Sequence, residues 1–389
     1  MTEQPIYLDY AATSPLDRRV LAAMQQCMTL DGDFGNPSSA HAAGAAAMRR
    51  VEAAREQIGA RVGAAPDRLV FTSGATEANN LAIAGLLAAA PRDRRHVVTT
   101  SIEHKSVLDT VRFLERGGCR ATFVPCGADG VVRTADVAAA IGPSTALVSV
   151  MHVNNETGAL QDIPALAAAC RERGVTLHVD AAQSVGKVPV ALEAWGVHLA
   201  SLTAHKLCGP KGIGALYVAP GIALEPLLHG GEQQGGLRPG TLPTHQIAGM
   251  GEAYRLADPA AEGPRLAALK SRLWEGLSAI PDTRLNGSLE SSSPHILNVA
   301  FAGVEAESLR LAVGEIAVSA GSACMAATPE ASHVLSTMGL SHALASSSLR
   351  FGLGRFTDAR EIDRAVARVG AEVARLRRLS ASAPAWCRT

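Results

Sequence analysis

The sequence predicts an α/β protein, with a mainly parallel central sheet covered by helices and a smaller α+β unit after it. Two observations carry this. Between Leu69 and Tyr217, short β-branched or apolar runs alternate with polar turns and helix-length segments. Such alternation builds a parallel sheet covered on both faces, with ligands bound beyond the strand carboxyl ends. The 389 residues, 47% of them hydrophobic, exceed one small domain and supply a large core.

Taken in order, Tyr7 to Pro15 reads as a short strand-like piece running into a turn, followed by a helix with Val20, Leu21, Met24 and Met28 on one face. Asp31 to His41 is an irregular Gly/Asn/Pro/Ser loop, and Gly44 to Val62 an Ala- and Arg-rich helix. The strands expected next are Leu69–Thr72, Val97–Thr99, Thr122–Val124, Leu147–Met151, Thr176–Val179 and Leu216–Val218, with a further strand-like run leading into Ser201 to Gly214. Helices are expected over Thr76–Leu87, Lys105–Glu115, Thr134–Ile141 and Ile163–Arg173. Pro220 to His245 breaks the rhythm as a long glycine-rich loop. Ala248 to Leu277 reads as one long helix interrupted near Pro259 and Pro264, and Asp358 to Arg378 as the last helix.

The balance of charge and thiols excludes several classes. Thirty-six basic and thirty-six acidic residues cancel, which removes the electrostatic ground for nucleic acid or an anionic membrane as the main partner. Seven cysteines without the spacing of a disulfide framework point to reduced thiols. Met1 to Asp9 carries no basic segment followed by an apolar one, and no run approaches the roughly 18 apolar residues of a membrane span. A cytoplasmic location is the expectation. Neither C-x-x-C nor H-E-x-x-H occurs, so no intrinsic metal is expected.

Four stretches carry chemistry. Thr72, Ser73, Gly74, Ala75, Thr76 and Glu77 sit where a strand gives way to a helix, so free amides and hydroxyls suit a phosphate; an ordinary helix cap is the competing explanation. Asp180 ends a strand, where a carboxylate can hold a pyridine nitrogen protonated, or equally cap a helix. Lys206 lies between a strand and a glycine-rich turn, beside Thr203 and His205. A lysine can hold an aldehyde cofactor as a Schiff base and then carry a proton. Cys324 lies in a run of small residues, Ser319 to Thr328, that offers accessible backbone to a travelling nucleophile, whereas Cys27 and Cys170 read as structural.

Together the motifs YLDYAATSP, GNPSS, FTSGATEANNLAI, EHKSVLD, HVNNETG, HVDAAQSVGK, AHKLCGPKGIGALY, RPGTLP, AGSAC and SSLRFGLGRFT resemble those of the cysteine desulfurases, of the group I iron–sulfur-cluster type, over nearly the whole chain. The resemblance implies a fold-type-I pyridoxal 5'-phosphate transferase and a homodimer that converts L-cysteine to L-alanine while sulfur moves to an enzyme cysteine as persulfide. By position, Lys206 would be the Schiff-base lysine and Cys324 the sulfur acceptor. Asp180 would pair with the pyridinium nitrogen, and Gln183 and Asn155 with the ring's phenolic oxygen. Ala75, Thr76, Thr203 and His205 would hold the phosphate, and Thr241 would reach the phosphate in the partner subunit, making the sites composite. His104 would stack on the ring and shuttle the substrate thiol proton, and Asn155 and Arg350 would bind the substrate, Arg350 clamping its carboxylate with its planar fork. A free thiol titrates near about 8.5, so a cation, with His104 the candidate, is expected to raise the Cys324 thiolate fraction.

The implied division is a large cofactor domain over residues 15–258 and a small domain made of 1–14 and 259–389, the latter carrying the mobile cysteine loop at about 319–333. An iron–sulfur scaffold protein and other sulfur acceptors, tRNA thiolation among their uses, are the expected partners, and Cys324 could transiently ligate a cluster beside the scaffold. Selenocysteine lyase or another fold-type-I aminotransferase is the alternative enzyme, and a catalytically silent sulfur carrier the alternative of another class. The chain departs from the pattern at Gly230 to Gly236, at Cys208 where Tyr is usual, and in its tail from Ser380.

Overall fold

The computed structural model describes residues 5–320 and 332–382. Its strands, in chain order, are β1 (Ile6–Tyr7), β2 (Leu69–Thr72), β3 (His96–Thr100), β4 (Arg120–Val124), β5 (Thr145–Met151), β6 (Thr176–Asp180), β7 (Leu199–Thr203), β8 (Gly214–Val218), β9 (Thr283–Leu285), β10 (Ile296–Phe301), β11 (Ile316–Ala317) and β12 (Ser348–Gly352). Seven of them form the central sheet in the order β2-β8-β7-β6-β5-β3-β4. All neighbours in it are parallel except β8, which runs antiparallel to both β2 and β7. Every residue of β3, β5 and β7 is buried, as a sheet with both faces covered requires.

Beyond it, β12-β10-β9 make an antiparallel sheet, and β1 pairs in parallel with β11, joining Ile6 to Ile316. Two main cores result. The larger packs around the central sheet and includes Val334, Leu335, Met338, Leu340 and Ala345 from late in the chain. The second gathers Ile6 and Leu8 with residues from Leu266 to Val373.

Three expectations need correction. The first helix spans only Arg18–Gln25, so of its expected apolar face Val20 is buried while Leu21 and Met28 are exposed. The segment expected as one helix over Thr76–Leu87 is Ala75–Asn80, a π-turn at Leu81–Gly85, then Leu86–Ala89. At the end of that turn the amide of Glu225 donates to the Gly85 carbonyl at 3.0 Å. The later long helix is interrupted near Pro259 as expected, giving Thr244–Leu256 and Pro259–Ser278, but not at Pro264. The break falls at Ala257–Asp258, since a residue before proline avoids the helical region and Asp258 caps the second helix; Pro264 is carried inside it.

Candidate active site

The carboxyl ends of β2, β5, β6 and β7 open onto one cavity of about 480 Å³. Among the residues lining it are Ala75, Thr76, His104, Asn155, Asp180, Gln183, Thr203, His205, Lys206 and Arg350. Residues spread over 275 positions of sequence therefore meet because strands that end at the same edge of a parallel sheet deliver their loops to one place. Lys206 is half-buried, three residues beyond β7.

Asp180, buried at the end of β6, accepts hydrogen bonds from Asn79 Nδ2 at 2.8 Å and from the Ala182 amide at 3.0 Å. Asn79 Nδ2 also donates to Ser106 Oγ at 2.8 Å, and Ser106 Oγ lies 2.8 Å from His104 Nδ1. A polar chain thus links Asp180 to His104 through two side chains that carried no role in the sequence reading. Their only signal was membership of the stretches FTSGATEANN and EHKSVLD.

His104 caps the helix Lys105–Arg116, its Nδ1 accepting from the Ser106 amide at 3.1 Å. The ring proton therefore sits on Nε2. Burial pushes the His104 pKa below its ordinary value and Lys206 pushes the same way, with Asp180 opposing. The ring is neutral at neutral pH. A neutral imidazole whose Nδ1 lone pair is engaged offers a donor rather than the charge expected to raise the Cys324 thiolate fraction. Cys324 itself lies outside the described residues, as do most of the residues of its expected loop.

At the phosphate end, no side chain caps the helix beginning at Ala75, and Gly74 adopts φ 153°, a region a side chain would strain. A Cβ on Gly214 would come within 2.7 Å of Gly74 Cα, so glycine on β8 lets that turn lie close against the sheet. Two of the expected phosphate donors are spent elsewhere. Thr72 Oγ1 donates to the Gly74 carbonyl, and the Ser73 amide donates to Glu77 Oε2, which is held by Arg238 from the glycine-rich loop. His205 Nδ1 lies 3.1 Å from Thr13 Oγ1, and burial pushes its pKa to about 4, so it is present as a neutral ring.

Arg350 is 1% exposed. Its Nη1 donates to the Asn155 carbonyl and its Nη2 to Asp9 Oδ1, each at 2.9 Å, and Nη2 also donates to Ser319 Oγ at 3.1 Å. Its Nε is buried without a hydrogen-bond partner among the described residues. Gln183 Nε2 donates to the Ala11 carbonyl at 2.8 Å. Ala11, Ala12 and Thr13, from the YLDYAATSP motif, also line the cavity. Thr241 is exposed and does not line this cavity.

Directly behind His104, Glu103 is wholly buried. Its Oε1 accepts from Thr100 Oγ1 at 2.6 Å and the Met151 amide at 2.9 Å, while Oε2 has no partner. Burial raises its pKa to about 8. His178, by contrast, is a satisfied core histidine between Ser149 and Ser201.

Residues 6–365 match the aminotransferase class-V family. The chain is 51% identical over 387 residues to the cysteine desulfurase IscS of Pectobacterium atrosepticum, covering 98% of this chain and 95% of that one. The same identity and coverage hold for the cysteine desulfurase IscS of an Escherichia coli strain. Among solved structures, a NifS-like protein superposes with a TM-score of 0.90 at 32% identity, covering 95% of this chain and 100% of that one. DndA from Streptomyces lividans superposes with a TM-score of 0.75 at 40% identity, covering 89% and 99%.

Pyridoxal phosphate, on which this family depends, is matched by the residues present. The cavity is of ligand size. A buried carboxylate at one place, an uncapped helix start with a glycine-permitted turn at another, and one lysine between strand end and turn form the donor set that a pyridine ring, a phosphate and an aldehyde need. The chain belongs to the class-V aminotransferases and, within them, to the pyridoxal phosphate-dependent cysteine desulfurases.

Proposed function

We propose that this desulfurase takes L-cysteine to L-alanine, that Cys324 receives the sulfur as a persulfide, and that acceptors for iron–sulfur cluster assembly then remove it. The observation that carries this reading is the convergence of Lys206, Asp180, His104 and Arg350 on one cavity. A solved relative, SspA, 38% identical with a TM-score of 0.80 over 89% of this chain and 98% of that one, is described in complex with cysteine.

Bound pyridoxal phosphate supplies an electron sink that makes the substrate Cα proton and its carbon–sulfur bond labile. Lys206 would hold it covalently and, when released from it, would carry the Cα proton. Asp180, oriented by Asn79, keeps the ring nitrogen protonated. Arg350 receives the substrate carboxylate, with its unpartnered Nε available for the task. His104 presents Nε2–H to the cavity, which suits holding a developing thiolate. The Cys324 thiolate attacks the substrate sulfur; the carbon–sulfur pair of electrons stays with carbon, which is protonated to alanine, and a second thiol later reduces the persulfide.

The reading further takes residues 15–258 as the cofactor domain and residues 1–14 with 259–389 as the small domain. It makes the enzyme a homodimer in which the partner's Thr241 completes the phosphate site. It places the protein in the cytoplasm; no helix among the described residues is long and apolar enough to cross a membrane. Incubation with L-cysteine and a reductant should yield alanine and sulfide in equal amounts. Cys324→Ser should keep the visible cofactor band and lose sulfide release; undiminished sulfide from that variant would remove Cys324 from the mechanism.

A further inference from the structure

The Gln183 side chain is fixed at both ends. The Ala11 carbonyl oxygen, which has no proton to give, faces Gln183 Nε2 at 2.8 Å, so that contact decides which end of the amide is nitrogen. Gln183 Oε1 then faces His295 Nε2 at 3.4 Å. An amide oxygen can only accept, so the imidazole proton sits on His295 Nε2. Among the described residues nothing else competes for that ring: His295 is 1% exposed, and its Nδ1 has no hydrogen-bond partner there. Burial first, then the charges of Lys187, Lys270, Lys206 and Arg350, hold its pKa well below the ordinary value. The ring therefore stays neutral, with a single N–H. Its backbone is anchored just ahead of β10, where the Leu353 amide donates to the His295 carbonyl at 2.7 Å.

We propose that His295 is a positioning residue: its Nε2–H holds the Gln183 amide with its nitrogen toward the cavity, leaving the second amide proton for the phenolic oxygen of bound pyridoxal phosphate. The inference rests on the reading of this cavity as the cofactor site with Gln183 at that oxygen. Donation to the phenolic oxygen stabilises its anion, and so favours loss of the proton shared between that oxygen and the Lys206 linkage. Freed from His295, the Gln183 amide keeps only its contact with the Ala11 carbonyl and can swing about it, so its second proton is no longer aimed at that oxygen.

The test is a spectrophotometric pH titration of the visible cofactor band in the cofactor-loaded protein without cysteine, for His295→Leu, His295→Asn and His295→Gln. Glutamine carries its amide nitrogen about as far along the side chain as His295 Nε2, whereas asparagine stops short. The midpoint should rise by about half to one pH unit in His295→Leu and His295→Asn, the size of one neutral hydrogen bond. His295→Gln should restore it to within about 0.2 unit of the unaltered protein. Unaltered midpoints in the Leu and Asn variants, or a Gln variant shifted as far as the Asn variant, would overturn the proposal. If His295→Leu does not fold, the Asn and Gln pair decides. A protein that shows no visible band on adding pyridoxal phosphate would overturn the cofactor reading itself; a band present but unmoved refutes only the role of His295.

Discussion

Glu103→Gln should stabilise the protein, and by more at higher pH. Glu103 is wholly buried without a cationic partner; two donors reach Oε1 and none reaches Oε2. Burial raises its pKa from 4.5 to about 8. An acid whose folded pKa lies above its unfolded value favours folding fully below the unfolded value and loses that contribution as pH rises toward the folded one. In this window the folded protein holds a proton that the unfolded chain has released, so stability falls by at most about 1.4 kcal/mol per pH unit. Glutamine preserves Oε1 as an acceptor for Thr100 and Met151 and carries no titration. The stability difference between variant and unaltered protein should therefore widen by about 2.5 kcal/mol between about pH 5.5 and pH 7.5. Urea unfolding of the cofactor-loaded proteins, followed by tryptophan fluorescence at the two pH values, measures it. A difference that stays constant or narrows with pH would show that Glu103 is ionised in the fold and that the burial argument is wrong.

Arg350→Lys keeps the charge but loses the planar fork that reaches Asn155, Asp9 and Ser319; the KM for cysteine should rise about tenfold to a hundredfold, as expected when a charged hydrogen bond of ~1.5–3 kcal/mol is lost. Steady-state alanine formation checks it, and an unchanged KM would place the substrate carboxylate elsewhere. Gly214→Ala sets a Cβ against Leu202 and Gly74, so cofactor affinity measured by equilibrium dialysis should fall by about tenfold, in line with the cost of overpacking. His152 and His178 are buried and neutral, with pKa values pushed to about 4. Because the unfolded chain binds protons to them first, stability should fall as pH drops from about 6.5 toward 4, by up to about 3 kcal/mol for each. Near-ultraviolet circular dichroism during acid titration would show this, and His178→Gln should blunt it.

Much of this architecture was legible because a parallel sheet writes itself locally. Each strand is a short apolar run, and the side chains delivered to the cavity stand at its carboxyl end, as Asp180 does, or a few residues beyond, as Lys206 does. The tail end of the last helix, Ala359–Ser382, was likewise readable to within a few residues. Partnerships between remote side chains were not legible. Asn79 meets Asp180 across 101 positions, Gln183 meets Ala11 across 172, and His295 meets Gln183 across 112; no periodicity records such contacts. The charge of His104 was also hidden, since it depends on burial and on which donor claims Nδ1. Leu21 and Met28 misled because spacing on a helix gives a face but not whether anything covers it. Nothing in the structure explains why Cys208, buried at φ 60°, replaces the usual Tyr.

The parallel pairing of β1 with β11 has a consequence for synthesis. Ile6 to Thr13 are made long before their strand partner at Ile316, and the Arg350 partner of Asp9 comes later still. A nascent chain can complete the central sheet once β8 has emerged, because β2 waits only for Tyr217 to Gly214. Its active site nonetheless stays without the wall formed by Ala11 to Thr13 until over 300 further residues have followed Ile6. Such late closure of long loops slows folding and exposes partly built intermediates. A ribosome-bound chain that has just finished its central sheet would thus carry Lys206 and Asp180 without Arg350, and a truncated product of that length would lack the part of the cavity wall that Arg350 supplies.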